Sequence, residues 1–250
     1  MQANDDVMHD RRDFLLVAGA TVATFALGGV SFAARAAGDA AGKMKIGIIG
    51  SGRIGGTLGG LWVKAGHEVM FSSLDLEHDK ALAASLGPNA RAGTAREAAA
   101  FGDVLLMAVP YTALPQLGRD LAGLIKGKVV LDACNPIPAR DGEIAAWARE
   151  KGTGLASAEL LPGAHLVRAF NAISYAKLPE AAKRQGERTG MPMAGDDASA
   201  IAVASRLVRE IGYEPVVIGP LAKGKYLIPG TPLAGEHTPE QIRQIAASLN

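Results

Sequence analysis

The sequence predicts an α/β fold, a doubly wound, mostly parallel sheet covered by helices on both faces. Three observations carry that prediction. Hydrophobic residues make up 48% of the 250 positions but aromatics only 5%, with 31 glycines, which suits close-packed α/β layers better than a β-sandwich. Short apolar runs alternate with helical patterns from Lys45 to about Pro220. The first run, "KIGIIG", leads into a glycine-rich turn that opens a helix. The length suits one compact domain with a short appendage.

The elements follow in order. Ile46, Ile48 and Ile49 around Gly47 form an apolar strand, as expected of one buried on both faces. A helix from about Ile54 to Ala65 stops at Gly66, a natural residue just past a helix end. "HEVMFSS" is a second strand, and a helix over 77–86 is stopped by Gly87-Pro88. "NARAG" is a short third strand, after which Thr94 and Glu97 make a capping box. "DVLLMAVP" and "KVVLDACNP" are strands ended by Pro110 and Pro136. Asp141 is expected to cap the helix "GEIAAWARE", and "HLVRAFNAI" is a sixth strand. From Met191 a strand, a helix capped by Asp197 and the strand "EPVVIGP" extend the pattern. Thr238-Pro239-Glu240-Gln241 opens a last helix. Only about thirty residues follow the last strand, fewer than a separate helical substrate domain requires.

The N-terminus differs in kind. Arg11-Arg12 precede Phe14-Leu15, no charge occurs over 14–34, and Ala34-Arg35-Ala36 supplies small residues for a signal peptidase. Residues 1–36 resemble a twin-arginine signal, departing from its usual pattern at Asp10 and Leu16, and 37–43 form a linker to the domain at 44–250. The expectation is periplasmic export through the twin-arginine machinery; the alternative is an inner-membrane anchor through 14–34. Cys134 is the single cysteine, so no intrachain disulfide forms. A formal net charge of +1 and the lack of a basic block argue against a nucleic-acid partner.

Gly50-Ser51-Gly52-Arg53-Ile54-Gly55 fits G-x-G-x-x-G between an apolar strand and an amphipathic helix, the Rossmann-type context for a dinucleotide. Gly50 permits the tight turn, Gly52 a close backbone approach to pyrophosphate, and Gly55 helix packing on the strand. Backbone amides at the helix start favour phosphate. Where an NAD-binding chain places an acid, this one places Ser72 and Ser73. Two hydroxyls, with Arg53 in the turn as a cation, point to NADP; Asp75 and His78 nearby keep NAD as the alternative.

"IGSGRIGGTLGGLWVKAGHEVMFSS", "LLMAVPY", "VVLDACNP", "LVRAFNAI", "MAGDD" and "GYEPVVIGPL" occur in an order that resembles the NADP oxidoreductases acting on a deazaflavin, coenzyme factor 420. The resemblance runs from Met44 to about Leu221. It implies hydride transfer between nicotinamide and a flavin- or deazaflavin-like small-molecule acceptor. It places Val109 and Pro110 beside the pyrophosphate and nicotinamide ribose, and Asn135 and Asn171 at the ring. Members of that family carry Ser-Arg where this chain has Ser73-Leu74, which leaves Arg53 as the substitute cation. The nucleotide domain is also similar to that of pyrroline-5-carboxylate reductases, so an imine or small-carbonyl reductase is the second enzyme reading. A non-catalytic NAD(P)-binding module is the third.

The remaining candidates read as structural. Asn135 and Asn171 have a second role open to them, tying down turns through side-chain hydrogen bonds. Cys134 is expected to be a buried small residue, His67 and His237 to be structural, and His165 to be structural or superficial, with a proton shuttle as its alternative role. No paired His or Cys spacing argues for a metal. No residue is assigned as catalytic, since hydride transfer between stacked rings asks mainly for orientation and exclusion of water. A homo-oligomer is left open.

Overall fold

The computed structural model describes residues 42–249. The expected export signal, the alternative membrane anchor at 14–34 and most of the linker lie outside the described residues. Among the described residues no helix is long and apolar enough to cross a membrane.

All eight strands foreseen from the sequence form and join one sheet. Through its first half the chain runs β1 (Lys45–Ile49), α1 (Arg53–Lys64), β2 (Glu68–Ser72), α2 (Leu76–Leu86), β3 (Ala90–Ala92), α3 (Ala95–Phe101) and β4 (Val104–Met107). Helices α4 (Leu114–Asp120) and α5 (Ala122–Ile125) lead to β5 (Val129–Asp132). Three more, α6 (Pro138–Asp141), α7 (Glu143–Lys151) and α8 (Thr153–Leu160), lead to β6 (His165–Arg168). After a short α9 (Leu178–Ala181), β7 (Gly190–Gly195), α10 (Ala198–Glu210), β8 (Glu214–Gly219) and α11 (Pro239–Ala247) complete the domain.

The strand order is β3-β2-β1-β4-β5-β6-β7-β8, with β1 to β6 parallel. This is the Rossmann order. Strand β7 pairs antiparallel to β6, and β8 pairs parallel to β7, so the last two strands run against the first six. The reversal needs no helical crossover between β6 and β7, only the irregular stretch around α9, whereas α10 provides the crossover that keeps β8 parallel to β7.

The continuous apolar runs bury both faces of the sheet. Ile46, Ile48, Leu106, Leu131 and Val167 face α1 and α10 with Leu58, Trp62 and Leu207. Their neighbours Ile49, Leu105, Met107, Val130 and Leu166 face the helices on the other side with Ala98, Leu114, Ile125, Ala148 and Ala156. Trp62 is fully buried, and its indole N–H donates to the Leu207 carbonyl at 3.0 Å, fastening α1 to α10.

Thr94 and Thr238 form capping boxes, and Asp197 caps α10 through the Ala200 N–H. Asp141 departs from expectation. Helix α7 begins at Gly142 with no side-chain cap, and Asp141 instead turns inward to accept from the Ile137 N–H and the Arg140 guanidinium. Burial pushes its carboxyl up, but Arg140 and the Ile137 N–H outweigh it and hold the pKa below the ordinary value. A proline-led turn at Pro138 takes up the capping acid before α7 starts.

Candidate functional site

Strand register sets Ser72, Ile49, Met107, Asp132 and Arg168 in one row across the sheet. The residues that follow leave the sheet together at its carboxyl edge, where ligands of doubly wound folds bind. His165, at the amino end of β6, lies about 10 Å away along the strand and pairs with Asp197 on the surface at 3.1 Å.

The glycine turn hangs from the end of β2, with the N–H groups of Gly50 and Ser51 both donating to the Ser72 carbonyl at 2.9 Å. Gly50 has φ of 98°, and a Cβ there would meet the Ala108 carbonyl at 2.5 Å. A Cβ on Gly55 would run into the Gly50 carbonyl and Ile48, so α1 packs on β1 only with glycine at this position. Gly52 is a different case. Its φ is −65°, and a Cβ there would meet nothing within 4 Å. Neither strain nor packing asks for glycine; what its missing side chain leaves is open space above the start of α1. Helix α1 has no side-chain cap and no acid in its first turn, whereas Asp75, Thr94, Asp197 and Thr238 cap α2, α3, α10 and α11. Free N–H groups under an open surface make an anion site.

A cleft of about 740 Å³ runs from this turn to α4. Gly50, Gly52, Ser72, Ser73, Val109 and Pro110 line it, with Ile49, Leu74, Ala108, Ala113 and Leu117 giving it apolar walls. Ser51 and Gly55 lie buried beneath, and Ile54 packs against the core. The size and lining suit the adenosine half of a dinucleotide.

Two expectations about donors are corrected. Ser72 does not offer a hydroxyl to a ribose: the residue is fully buried and its Oγ donates to the Ile48 carbonyl at 2.7 Å. Arg53 does not reach toward β2. Its guanidinium donates to the Tyr175 hydroxyl at 2.6 Å and stacks 4.8 Å over that ring, in the loop after β6, on the opposite side of β1. Sequence reasoning missed Asp79. It is fully buried in the first turns of α2, and accepts from the hydroxyls of both Ser51 and Ser73, the latter 2.9–3.0 Å away.

Asn135 and Asn171 stand together outside the cleft, where they tie the turns after β5 and β6. Asn135 Nδ2 donates to the Asn171 carbonyl at 3.1 Å, and Asn171 Nδ2 to the Cys134 carbonyl at 3.2 Å. Asn171 Oδ1 is buried without a partner among the described residues. Phe170 before it has φ of 67°, a strained backbone for a bulky residue, held by edge contacts with Trp62 and Tyr213. The kink falls between the end of β6 and Asn171, whose amide reaches back to the turn after β5. Beneath both asparagines lies a second pair that the sequence reading passed over. Arg168 and Asp132 are fully buried and bonded at 2.5 Å, and Arg168 also donates to the carbonyls of Cys134 and Leu227.

The Cys134 thiol is buried and donates to the Met107 carbonyl; burial, then Asp132, pushes its pKa up, so it is no nucleophile. His67 accepts from the Met44 N–H and bonds Glu210 at 2.7 Å, a structural role.

Comparison with known proteins extends this picture. A family model described as NADP oxidoreductase, coenzyme F420-dependent, matches residues 45–136, from β1 to the turn after β5. Among solved structures, a hypothetical protein from Sinorhizobium meliloti is 25% identical, with a TM-score of 0.66 over 79% of this chain and 96% of that one. A putative F420-dependent NADP reductase from Arthrobacter sp. FB24 is 20% identical, covering 73% of this chain and 87% of that one, with a TM-score of 0.61. An imine reductase variant from Myxococcus stipitatus, in complex with NAD+, is 19% identical at a TM-score of 0.53. The alignment covers 74% of this chain but 57% of that longer protein. The family and these two enzymes are nicotinamide-dependent oxidoreductases, and the structures share the fold.

Proposed function

We propose that this chain is an NAD(P)-dependent oxidoreductase that passes hydride between nicotinamide and a flat flavin- or deazaflavin-like acceptor. One observation carries the dinucleotide: Gly52 leaves open space above an uncapped helix start, at the mouth of an adenosine-sized cleft. The match of 45–136 to the F420-dependent family supports the acceptor class.

The chain's own residues divide the work. Amides at the start of α1 hold the diphosphate, while the apolar walls of the cleft take adenine. The unpartnered Asn171 Oδ1 fits a ligand N–H, such as the carboxamide of the nicotinamide. Tyr175, braced by Arg53 and partly exposed, covers the side of the turn nearest β6. When bound, the nicotinamide supplies the hydride, and no side chain has to move a proton to release it. Mixing the protein, loaded with reduced nicotinamide, with a panel of flavins and deazaflavins tests this. Loss of the nicotinamide absorbance within a single turnover is expected with at least one of them. Oxidation by cyclic imines alone would favour the imine reductase reading, and tight binding with no transfer would favour a non-catalytic module.

The reading of residues 1–36 as a twin-arginine signal adds a proposal of location. Export of a folded protein into the periplasm calls for a nucleotide carried along and held tightly. Mass spectrometry of the protein from its native compartment is expected to find a mature N-terminus just after Ala36 and bound nucleotide. An intact Met1 together with no nucleotide would contradict it.

A further inference from the structure

We infer that this chain prefers NAD to NADP, and that Asp79 sets the preference. The inference rests on the dinucleotide site proposed above. A 2′-phosphate is an anion that accepts hydrogen bonds, so a site that welcomes it presents hydroxyl donors or cations at the end of β2. The hydroxyl of Ser73 lines the cleft there and that of Ser51 lies buried just beneath, and each has a single proton. Both approach the buried carboxylate of Asp79, and Ser73 Oγ also lies 3.1 Å from the Asp75 carbonyl and accepts from the Asp75 N–H, so its proton is engaged within the chain. The internal carboxylate thus takes up the donors that an incoming phosphate needs. With its proton engaged and one lone pair taken by the Asp75 N–H, Ser73 Oγ keeps only acceptor capacity for a ligand, and the Asp79 carboxylate lies behind it.

The charged side chains that line the cleft act in the same direction. Asp75 and Asp120 line the cleft, and among the described residues no arginine or lysine does. Leu74 stands fully exposed at the rim and brings no charge. Arg53 is held by Tyr175 on the other side of β1. Arg96, on α3, donates to the Asp120 carbonyl, and His78 is exposed on α2 beside Asp79. A ribose 2′-hydroxyl, which can donate, suits Ser73 Oγ and the Asp75 carboxylate; a phosphate there meets like charge.

Calorimetric titration of the full chain with NADH and with NADPH tests the preference. Both titrations are run at the same pH and ionic strength. NADH is expected to bind at least about tenfold more tightly. Asp79→Asn, which keeps the shape and removes the charge, is expected to narrow that ratio severalfold, chiefly by strengthening NADPH. Leu74→Arg, at an exposed position, narrows it without disturbing the buried network. Equal affinities, or tighter NADPH, in the parent chain would overturn the inference and leave the dinucleotide site standing. An unchanged ratio in a folded Asp79→Asn chain would remove Asp79 from the account. No heat with either nucleotide would overturn the site and the inference together. The parent ratio is informative whether or not the Asp79 variant folds.

Discussion

Gly52→Val is expected to weaken dinucleotide binding roughly 100-fold or more while leaving the protein folded. The loss follows from removing the approach to charge-assisted hydrogen bonds that contribute about 1.5–3 kcal/mol each. The fold survives because a Cβ at Gly52 meets nothing within 4 Å and the backbone there has φ of −65°. An apolar residue at the start of α1 costs about 1 kcal/mol, a fall in melting temperature of about 2–4 °C for a domain of this size. Calorimetry and a thermal melt on the same sample check both halves. Unchanged binding would mean that the open space above α1 holds no ligand. Gly50 and Gly55 make poor test positions, since a side chain at either collides with backbone and disturbs the fold.

The second large effect falls on stability. Asp132→Ala leaves the Arg168 guanidinium fully buried without its carboxylate, with only carbonyls and Asn135 as partners. A loss of about 3–5 kcal/mol is expected on urea unfolding, because the uncompensated charge keeps its desolvation cost. The double change Asp132→Leu with Arg168→Met should lose much less, since no charge remains to be buried. A loss below about 1 kcal/mol for the single variant would contradict the role given to the pair. The pair matters beyond stability, because Arg168 reaches Asn135 and the backbone of Cys134, on which Asn171 also hangs. Loosening it is expected to loosen the turns that carry both asparagines.

Much of this was legible in the sequence. Apolar runs bounded by glycine or proline marked most of the strands, since buried strands are the strongest pattern a single chain writes. The half-exposed edge strands β3 and β8 were placed by the turn and helix signals around them. Thr94, Asp197 and Thr238 announced their helices because capping is local chemistry within three residues. The same locality misled at Asp141, where Ile137 and Arg140 competed for the carboxylate. Residues acting across the sheet were harder. Asp79 looks like an ordinary charge in the first turns of a helix; its bond to Ser51, 28 positions earlier, is a contact of the folded chain that local pattern does not show. Ser72 and Ser73 look interchangeable, yet the pleat sends one hydroxyl into the sheet and leaves the other at the cleft. Arg168 and Asp132 did leave a signal, a single charge inside each of two apolar strands, which in a buried sheet implies a partner. Nothing in the sequence betrays the positive φ of Phe170.

The central claim is that the uncapped start of α1 grips a diphosphate. Nuclear magnetic resonance of the backbone amides during titration with ADP-ribose, which carries the diphosphate without the nicotinamide, tests it most directly. The account predicts that the largest shifts fall on Gly52, Arg53, Ile54 and Gly55. Saturable binding that leaves those four amides unmoved, or no binding at all, would contradict it.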